Sequence, residues 1–215
     1  MRIPITGISI AVTEQALHIA SVTPLTVLSS AVVGAELDTT HHILNWHVHK
    51  HYSSKNPADD LRAAALTLGI TTHFVGLMTA VKLERARCAV EHSSALTVAA
   101  VQTLGLSNAT TAGISIPALL AVGTINTIIL IDGNLMASAR VNALLIATEA
   151  KTLALFEHNV RTHEGQLATG TSTDAIVIAC TGRGEPLRYA GAATELDWLI
   201  GRTVRAVTQA GLAIQ

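Results

Sequence analysis

Apolar positions in this chain gather in short runs rich in Val, Ile, Leu and Thr, each closed by a turn former. Only a few stretches keep the three-to-four spacing of a helix. Leu17 to Val22 and Leu25 to Gly34 predict two strands separated by Pro24. Thr72 to Val81, Arg85 to His92 and Leu96 to Thr103 predict three more. The short link Lys82-Leu83-Glu84 predicts a hairpin between the first two of these, opening an antiparallel meander. Thr124 to Ile131 and Ala175 to Ala179 complete the strands.

Three stretches read as helices. Asn56 as cap, Pro57 at the first position, Asp59 and Asp60 at the positive end and Gly69 as stop bracket a short helix with Leu61, Ala64, Ala65 and Leu68 on its buried face. The turn Asp132-Gly133-Asn134 leads into the longest, about Leu135 to His158, rich in helix formers and free of proline. The last begins near Ala193, with Thr194 and Asp197 spaced as a capping box and Leu196, Ile200, Thr203 and Val207 on one face. Strands outnumber helices and cluster early, which predicts an α+β class: a largely antiparallel or mixed sheet, single or split in two, covered by helices in one compact domain over residues 1–215.

Composition narrows the function classes. A net charge of −1, a pI near 6.8 and 3% aromatic residues leave nucleic acid without phosphate neutralisation or base stacking, so it is excluded as a partner. Cys88 and Cys180 each sit in an apolar run, as buried thiols of a reducing compartment do. Pro4, Gly7 and Glu14 interrupt the segment where a signal peptide would need its apolar core, and a cytoplasmic location is expected. Ser93 to Ile131 carries no formal charge, and Ala112 to Ile131 is long enough to span a bilayer. Gln102, Asn108, Ser115, Pro117, Asn126 and three glycines punctuate the run, however, and buried strands joined by loops are expected in place of membrane insertion.

Candidate chemistry concentrates in Ala168 to Ala175, Ala-Thr-Gly-Thr-Ser-Thr-Asp-Ala, at the start of a strand. Thr169, Thr171, Ser172 and Thr173 are short hydroxyls that either bond locally or meet a ligand, and Asp174 adds a carboxylate. On the long helix Ser138, Asn142 and Glu149 share a polar stripe. Glu149 is either exposed, paired with Lys151 or Arg140, or turned toward Thr124-Ile125-Asn126 as a general base. His47, His49 and His51 alternate, and on an extended segment they share a face with Asn45 that suits zinc or amide recognition. No Walker loop and no nucleophile elbow is present, and Cys180 reads as core.

Seven blocks then carry a resemblance that runs nearly the length of the chain. They are Ser29-Ser30-Ala31 with Gly34, Ile43-Leu44-Asn45, Val75 to Ala80, Gly105 to Asn108, Gly123 to Asn126, Thr148-Glu149-Ala150-Lys151 and Ala168 to Ala175. In this order they resemble the adenosylcobinamide amidohydrolase family. The resemblance implies hydrolysis of the amide between aminopropanol and the corrin ring of adenosylcobinamide, giving adenosylcobyric acid in corrinoid salvage. The cobalt-containing corrinoid is then the substrate, and no resident cofactor or metal is required. The family pattern takes in Asn45 to Val48 but not His49 or His51, which counts against a three-histidine metal site.

Amide hydrolysis needs an activated nucleophile, donors for the oxyanion and a proton for the amine. Glu149 or Asp174 would activate water or a hydroxyl, with Thr171 and Thr173 as the candidate hydroxyls. Ser29, Ser30, Asn45, His47, Asn108, Asn126, Thr169 and Ser172 would bind the substrate, the asparagines matching the corrin's peripheral amides. Two other classes remain in play: a corrinoid-binding protein without chemistry, and a metal-dependent amidohydrolase using His47 and His49. Assembly as a homo-oligomer is left open.

Overall fold

The computed structural model describes residues 1–116 and 123–215. Its strands are β1 (Ile8–Val12), β2 (Ala16–Ser29), β3 (Thr39–His47), β4 (Phe74–Thr79), β5 (Arg87–His92), β6 (Thr97–Leu104), β7 (Ala109–Thr110), β8 (Ile125–Asp132), β9 (Asn134–Leu135), β10 (Gly170–Thr171), β11 (Ala175–Cys180) and β12 (Pro186–Leu187). The helices are α1 (Pro57–Thr67), α2 (Ala137–Glu157) and α3 (Glu195–Leu212). One eight-stranded sheet runs β4-β3-β2-β11-β8-β6-β5, with β1 added to β2; β10 with β7 and β12 with β9 form two small ribbons. The main sheet is mixed, because β3 with β4 and β8 with β11 are parallel while the other pairings are antiparallel.

Alternation along the strands builds a core on each face of this sheet. Ile129, Ile131, Ile176, Ile178 and Cys180 turn one way, under Ala139, Ala143 and Ala147 of α2 and Leu199, Ile200 and Val204 of α3. Small alanines at four-residue spacing give α2 a smooth face that sits close to the sheet. Leu61 and Ala65 of α1 cover Leu44 and Phe74 farther along. On the other face Leu17, Ile19, Ile43, Val75, Leu77, Val101, Ile128, Leu130 and Val177 pack with one another and with Ile3, Ile5 and Leu83, with no helix among the described residues contributing to that cluster. That face closes because the sheet curls: three strands lie between β4 and β8 in the pairing order, yet Asn126 of β8 donates from Nδ2 to the carbonyl of Met78 in β4 at 2.8 Å.

Two local devices permit the curl. Where two strands were expected around Pro24, the chain forms the single strand β2, with its register against β3 shifted between Ala20 and Leu25. Proline cannot donate to a ladder and is tolerated at such a bulge. Beyond β2, Val33 bridges Gly76. Gly34, at φ +77°, follows it so closely that a Cβ would overlap the carbonyl of Phe74.

The expected hairpin between Thr72–Val81 and Arg85–His92 is absent. Its strands β4 and β5 end up on opposite edges of the sheet, and Leu83–Arg85 is a 3-10 turn with Leu83 buried in the inner core. The meander that does form is β5-β6-β8. Within the uncharged run, β6 and β8 are strands as expected, and β7 is a further two-residue strand; Pro117 and residues 118–122 lie outside the described residues. No helix among the described residues is long and apolar enough to cross a membrane.

Candidate active site

Where β3, β6 and β8 present their inward polar residues, four strands are tied by side-chain amides. Asn126 Nδ2 donates to Asn45 Oδ1 at 2.9 Å as well as to Met78, and Asn45 Nδ2 donates to Thr103 Oγ1 at 3.0 Å. The Thr124 hydroxyl donates to the carbonyl of Thr173 at 2.6 Å, with Asn126 Oδ1 3.2 Å away. Asn45 and Asn126 are buried and engaged at both ends, so this knot forms the floor of the site.

The 168–175 loop is pinned above it. Asp174 Oδ1 accepts from the Ile125 amide at 3.1 Å and from the Thr171 hydroxyl, and Oδ2 pairs with Lys151 of α2. The side chains of that ion pair are 7% and 16% exposed. Gly170 lies against both partners: a Cβ there would stand 2.8 Å from Lys151 Nζ and closer still to Asp174. Thr169 accepts from the Ala112 amide at 2.9 Å, and the Thr173 hydroxyl donates to Gly123 O at 2.6 Å. Asn108 Nδ2 donates to the exposed Ser172 hydroxyl at 2.7 Å, while its Oδ1 is buried without a partner.

Thr173 and Asn108, the donor to Ser172, line two different cavities. One, of about 500 Å³, has Ser107, Asn108, Thr110, Arg161 and His163 in its wall. The other, of about 270 Å³, is lined by Thr173, Thr124 and Asn126 together with Val32, Tyr52, Leu77, Met78 and Ala80. The Ser172 and Thr173 hydroxyls have the Asn108 amide behind them and are braced by a carboxylate and an ammonium group. Such a set can bind a carbonyl oxygen and move a proton.

Asp174, Thr171, Thr173, Ser172, Thr169, Asn108, Asn126 and Asn45 are therefore brought into one region. Glu149 is not. It is exposed on α2 beside Asp197, which it helps to push above the usual carboxylate range after the larger effect of burial. Residues two apart on a helix are about 200° apart around its axis. Lys151 therefore turns in where Glu149 turns out, and the expectation that Glu149 faces Thr124 to Asn126 is overturned.

Ser30 is spent on the sheet: its hydroxyl accepts from the Ile176 amide at 3.1 Å. Ser29 accepts from the Ala31 amide at 3.0 Å, an ordinary turn bond. His47 ends β3 and lines a separate cavity with Glu14, Gln15 and Lys82. His49 and His51 fall beyond the strand, both exposed, so the three histidines do not share an extended face. Among the described residues no three His, Cys, Asp or Glu side chains are grouped to hold a metal ion. Burial pushes the Cys180 thiol up to about 12, as suits a core residue.

Lys151 was the residue the sequence reading undervalued. A signal for it exists: Ala139, Ala143 and Ala147 step by four along the buried face of α2, and the next step is Lys151. A lysine at the end of an alanine stripe calls for a buried partner.

A curled mixed sheet carrying a hydroxyl, amide and ion-pair centre beside two cavities defines a small α+β protein with an enzyme-like site at its strand ends. Comparison with known proteins then specifies the family. The adenosylcobinamide amidohydrolase family model matches residues 2–215. An adenosylcobinamide amidohydrolase of Methanosarcina mazei is 31% identical over 183 residues, 81% of this chain and 84% of that protein. An uncharacterised protein of Methanocaldococcus jannaschii is 39% identical over 86 residues, 39% of this chain and 33% of its own. A solved structure of a Pyrococcus horikoshii protein superposes with a TM-score of 0.51 at 13% identity, over 96% of this chain and 83% of that one, which shows a shared fold alone. The chain belongs to the adenosylcobinamide amidohydrolase family.

Proposed function

We propose that this protein hydrolyses the amide joining aminopropanol to the corrin ring of adenosylcobinamide, releasing adenosylcobyric acid and the free amine in corrinoid salvage. The family match across residues 2–215 carries this reading. Water adds to the amide carbon, the C–N bond breaks, the acid keeps the water oxygen and the departing nitrogen takes a proton. Ser172 and Thr173 meet the scissile amide, with the Asn108 amide behind them. Asp174 accepts the water proton through the Thr171 hydroxyl that already donates to it, and Lys151 balances the carboxylate charge.

Of the three asparagines expected to read peripheral amides, Asn108 alone keeps an unpartnered buried oxygen, which lies against Gly123, while the residue itself lines the larger cavity. Asn45 and Asn126 shape the floor instead. The reaction proceeds in the cytoplasm on a small-molecule substrate and needs no resident cofactor, so turnover is expected to survive exhaustive chelation.

Mass spectrometry of adenosylcobinamide incubated with the purified protein tests the reading. Adenosylcobyric acid and aminopropanol are the expected products. Unchanged substrate that stays bound to the protein would point to a corrinoid-binding role.

A further inference from the structure

His18 of β2 and His42 of β3 lean together on the face of the sheet away from the inner core. Ile19 and Ile43, the residues that follow them, belong to that core, and strand alternation turns the two imidazoles the other way. Asn45 shares the inward face with Ile43, so the histidine pair and the candidate active site lie on opposite sides of one sheet. The ring centroids are 5.2 Å apart, and His18 Nε2 stands 3.1 Å from His42 Nδ1.

Two nitrogens bound to one cation take this spacing. Donors about 2.0–2.1 Å from a divalent ion stand about 2.9 Å apart at a right angle and about 3.4 Å apart at a tetrahedral one. Both rings are half-buried, and each is held neutral at pH 7 by burial first and then by a neighbouring imidazole. Without a cation, one ring donates to the other. With one, the shared proton moves to the second nitrogen of its own ring, and both facing nitrogens become ligands with no change in protein charge. The cross-strand neighbours, Ala11 beside His18 and Ala20 beside His42, are too small to cover the rings. His41 is engaged elsewhere, its Nδ1 donating to the Ser21 carbonyl at 2.9 Å. Among the described residues no third His, Cys, Asp or Glu joins the pair.

We infer that His18 and His42 form a two-imidazole site for a divalent transition-metal ion, its remaining positions left to water or to a donor from another molecule. Two neutral nitrogens without a carboxylate take Cu²⁺, Ni²⁺ or Zn²⁺ and pass over Mg²⁺ and Ca²⁺, which call for oxygen ligands. Cu²⁺ binds most tightly of these. The ion has no part in amide hydrolysis on the other face. It clamps β2 to β3 at Ala20, where the register between the two strands begins to shift.

Calorimetric titration of the metal-stripped protein with Cu²⁺, Zn²⁺ and Mg²⁺ at neutral pH tests this. Cu²⁺ and Zn²⁺ are expected to bind, Cu²⁺ the tighter, and Mg²⁺ to give no binding heat. His18→Gln and His42→Gln should each weaken Zn²⁺ binding roughly tenfold or more, since even loss of a partner behind a ligand costs that much. The control is His49→Gln with His51→Gln, which removes an exposed ring pair whose centroids are also 5.2 Å apart and should leave the affinity unchanged. Nitrogen-15 NMR of the unaltered protein reads the site without any substitution: one equivalent of Zn²⁺ should shift His18 Nε2 and His42 Nδ1. Zn²⁺ affinity that survives both single substitutions, or that disappears with His49 and His51, overturns the inference. Absence of Zn²⁺-induced shifts at His18 and His42 does so as well.

Discussion

Gly170 faces Lys151 across a gap with no room for a methyl group: a Cβ on the glycine would stand 2.8 Å from the lysine Nζ. The missing side chain is what lets the Lys151–Asp174 pair close under the loop. Gly170→Ala must push the pair apart or lift the loop. It is expected to cost about 1–3 kcal/mol, as other overpacked sites do. Urea unfolding checks the stability loss, and kcat should fall with it because Thr171 to Thr173 move together.

Asp174→Asn keeps the shape of the carboxylate and strands the Lys151 charge. Breaking a buried pair from one side costs about 3–5 kcal/mol, so the variant should be both less stable and inactive. Lys151→Met in the same background removes the stranded charge. Stability is expected to return in part while turnover does not, which separates the structural burden of the pair from its chemistry.

Glu149→Gln should leave turnover near the parental value, because the carboxylate is exposed on the far side of α2. Its effect should appear at Asp197 instead, whose carboxyl is raised first by burial and then by the Glu149 charge. Carboxyl-carbon NMR titration is expected to show Asp197 moving down toward the ordinary range in the variant. A large drop in kcat would return Glu149 to the reaction.

Removing Asn126 with Asn126→Ala leaves Asn45 Oδ1 and the Met78 carbonyl without their donor. Buried groups orphaned in this way cost about 1–3 kcal/mol each. The curl of the sheet depends on this link between β4 and β8. Hydrogen exchange should therefore quicken at Leu77 to Thr79, well away from the substituted strand in pairing order.

Acid should weaken the fold through a histidine pair. His18 Nε2 lies 3.1 Å from His42 Nδ1, and burial first, then a neighbouring imidazole, lowers the pKa of each below 6.5. The unfolded chain then binds more protons than the folded one once the pH drops to about 6.5, so stability is present above that pH and is lost below it. Melting temperatures between pH 8 and pH 5 are expected to decline less steeply when both residues are glutamine. Identical slopes would remove the assignment.

Much of this architecture was readable from local pattern. The Thr194 hydroxyl does accept from the Asp197 amide, 3.1 Å away, and α3 starts one residue after its cap. The runs that became β8 and β11 are apolar on both faces because both faces are covered, a pattern that points to central strands. Pairing was not readable in the same way. The link Lys82 to Glu84 has a hairpin's length, but Leu83 is drawn into the inner core and the chain crosses from one sheet edge to the other. A choice between neighbours made by tertiary burial leaves no mark in a five-residue window.

For the site, residue type was legible and direction was not. The hydroxyls of 168–175 mark that loop, whereas the polar stripe of Ser138, Asn142 and Glu149 points away from the site and the alanine stripe that ends in Lys151 points toward it. Ser30 shows the same limit. Its hydroxyl is polar enough to bind a ligand, and the backbone of β11 claims it first.

The position of β11 between β2 and β8 has a consequence for synthesis of the chain. Until residues 175–180 leave the ribosome, the long β2 and the almost wholly buried β8 have no strand to separate them, and each presents a raw hydrogen-bonding edge. Closing the sheet then requires Ser29 to find Val177 across most of the sequence, a slow kind of step for a folding chain. A nascent or truncated chain that stops short of β11 should therefore be a client of chaperones and a seed for aggregation. Yield in the cell would be governed by how quickly the segment from residue 175 onward arrives.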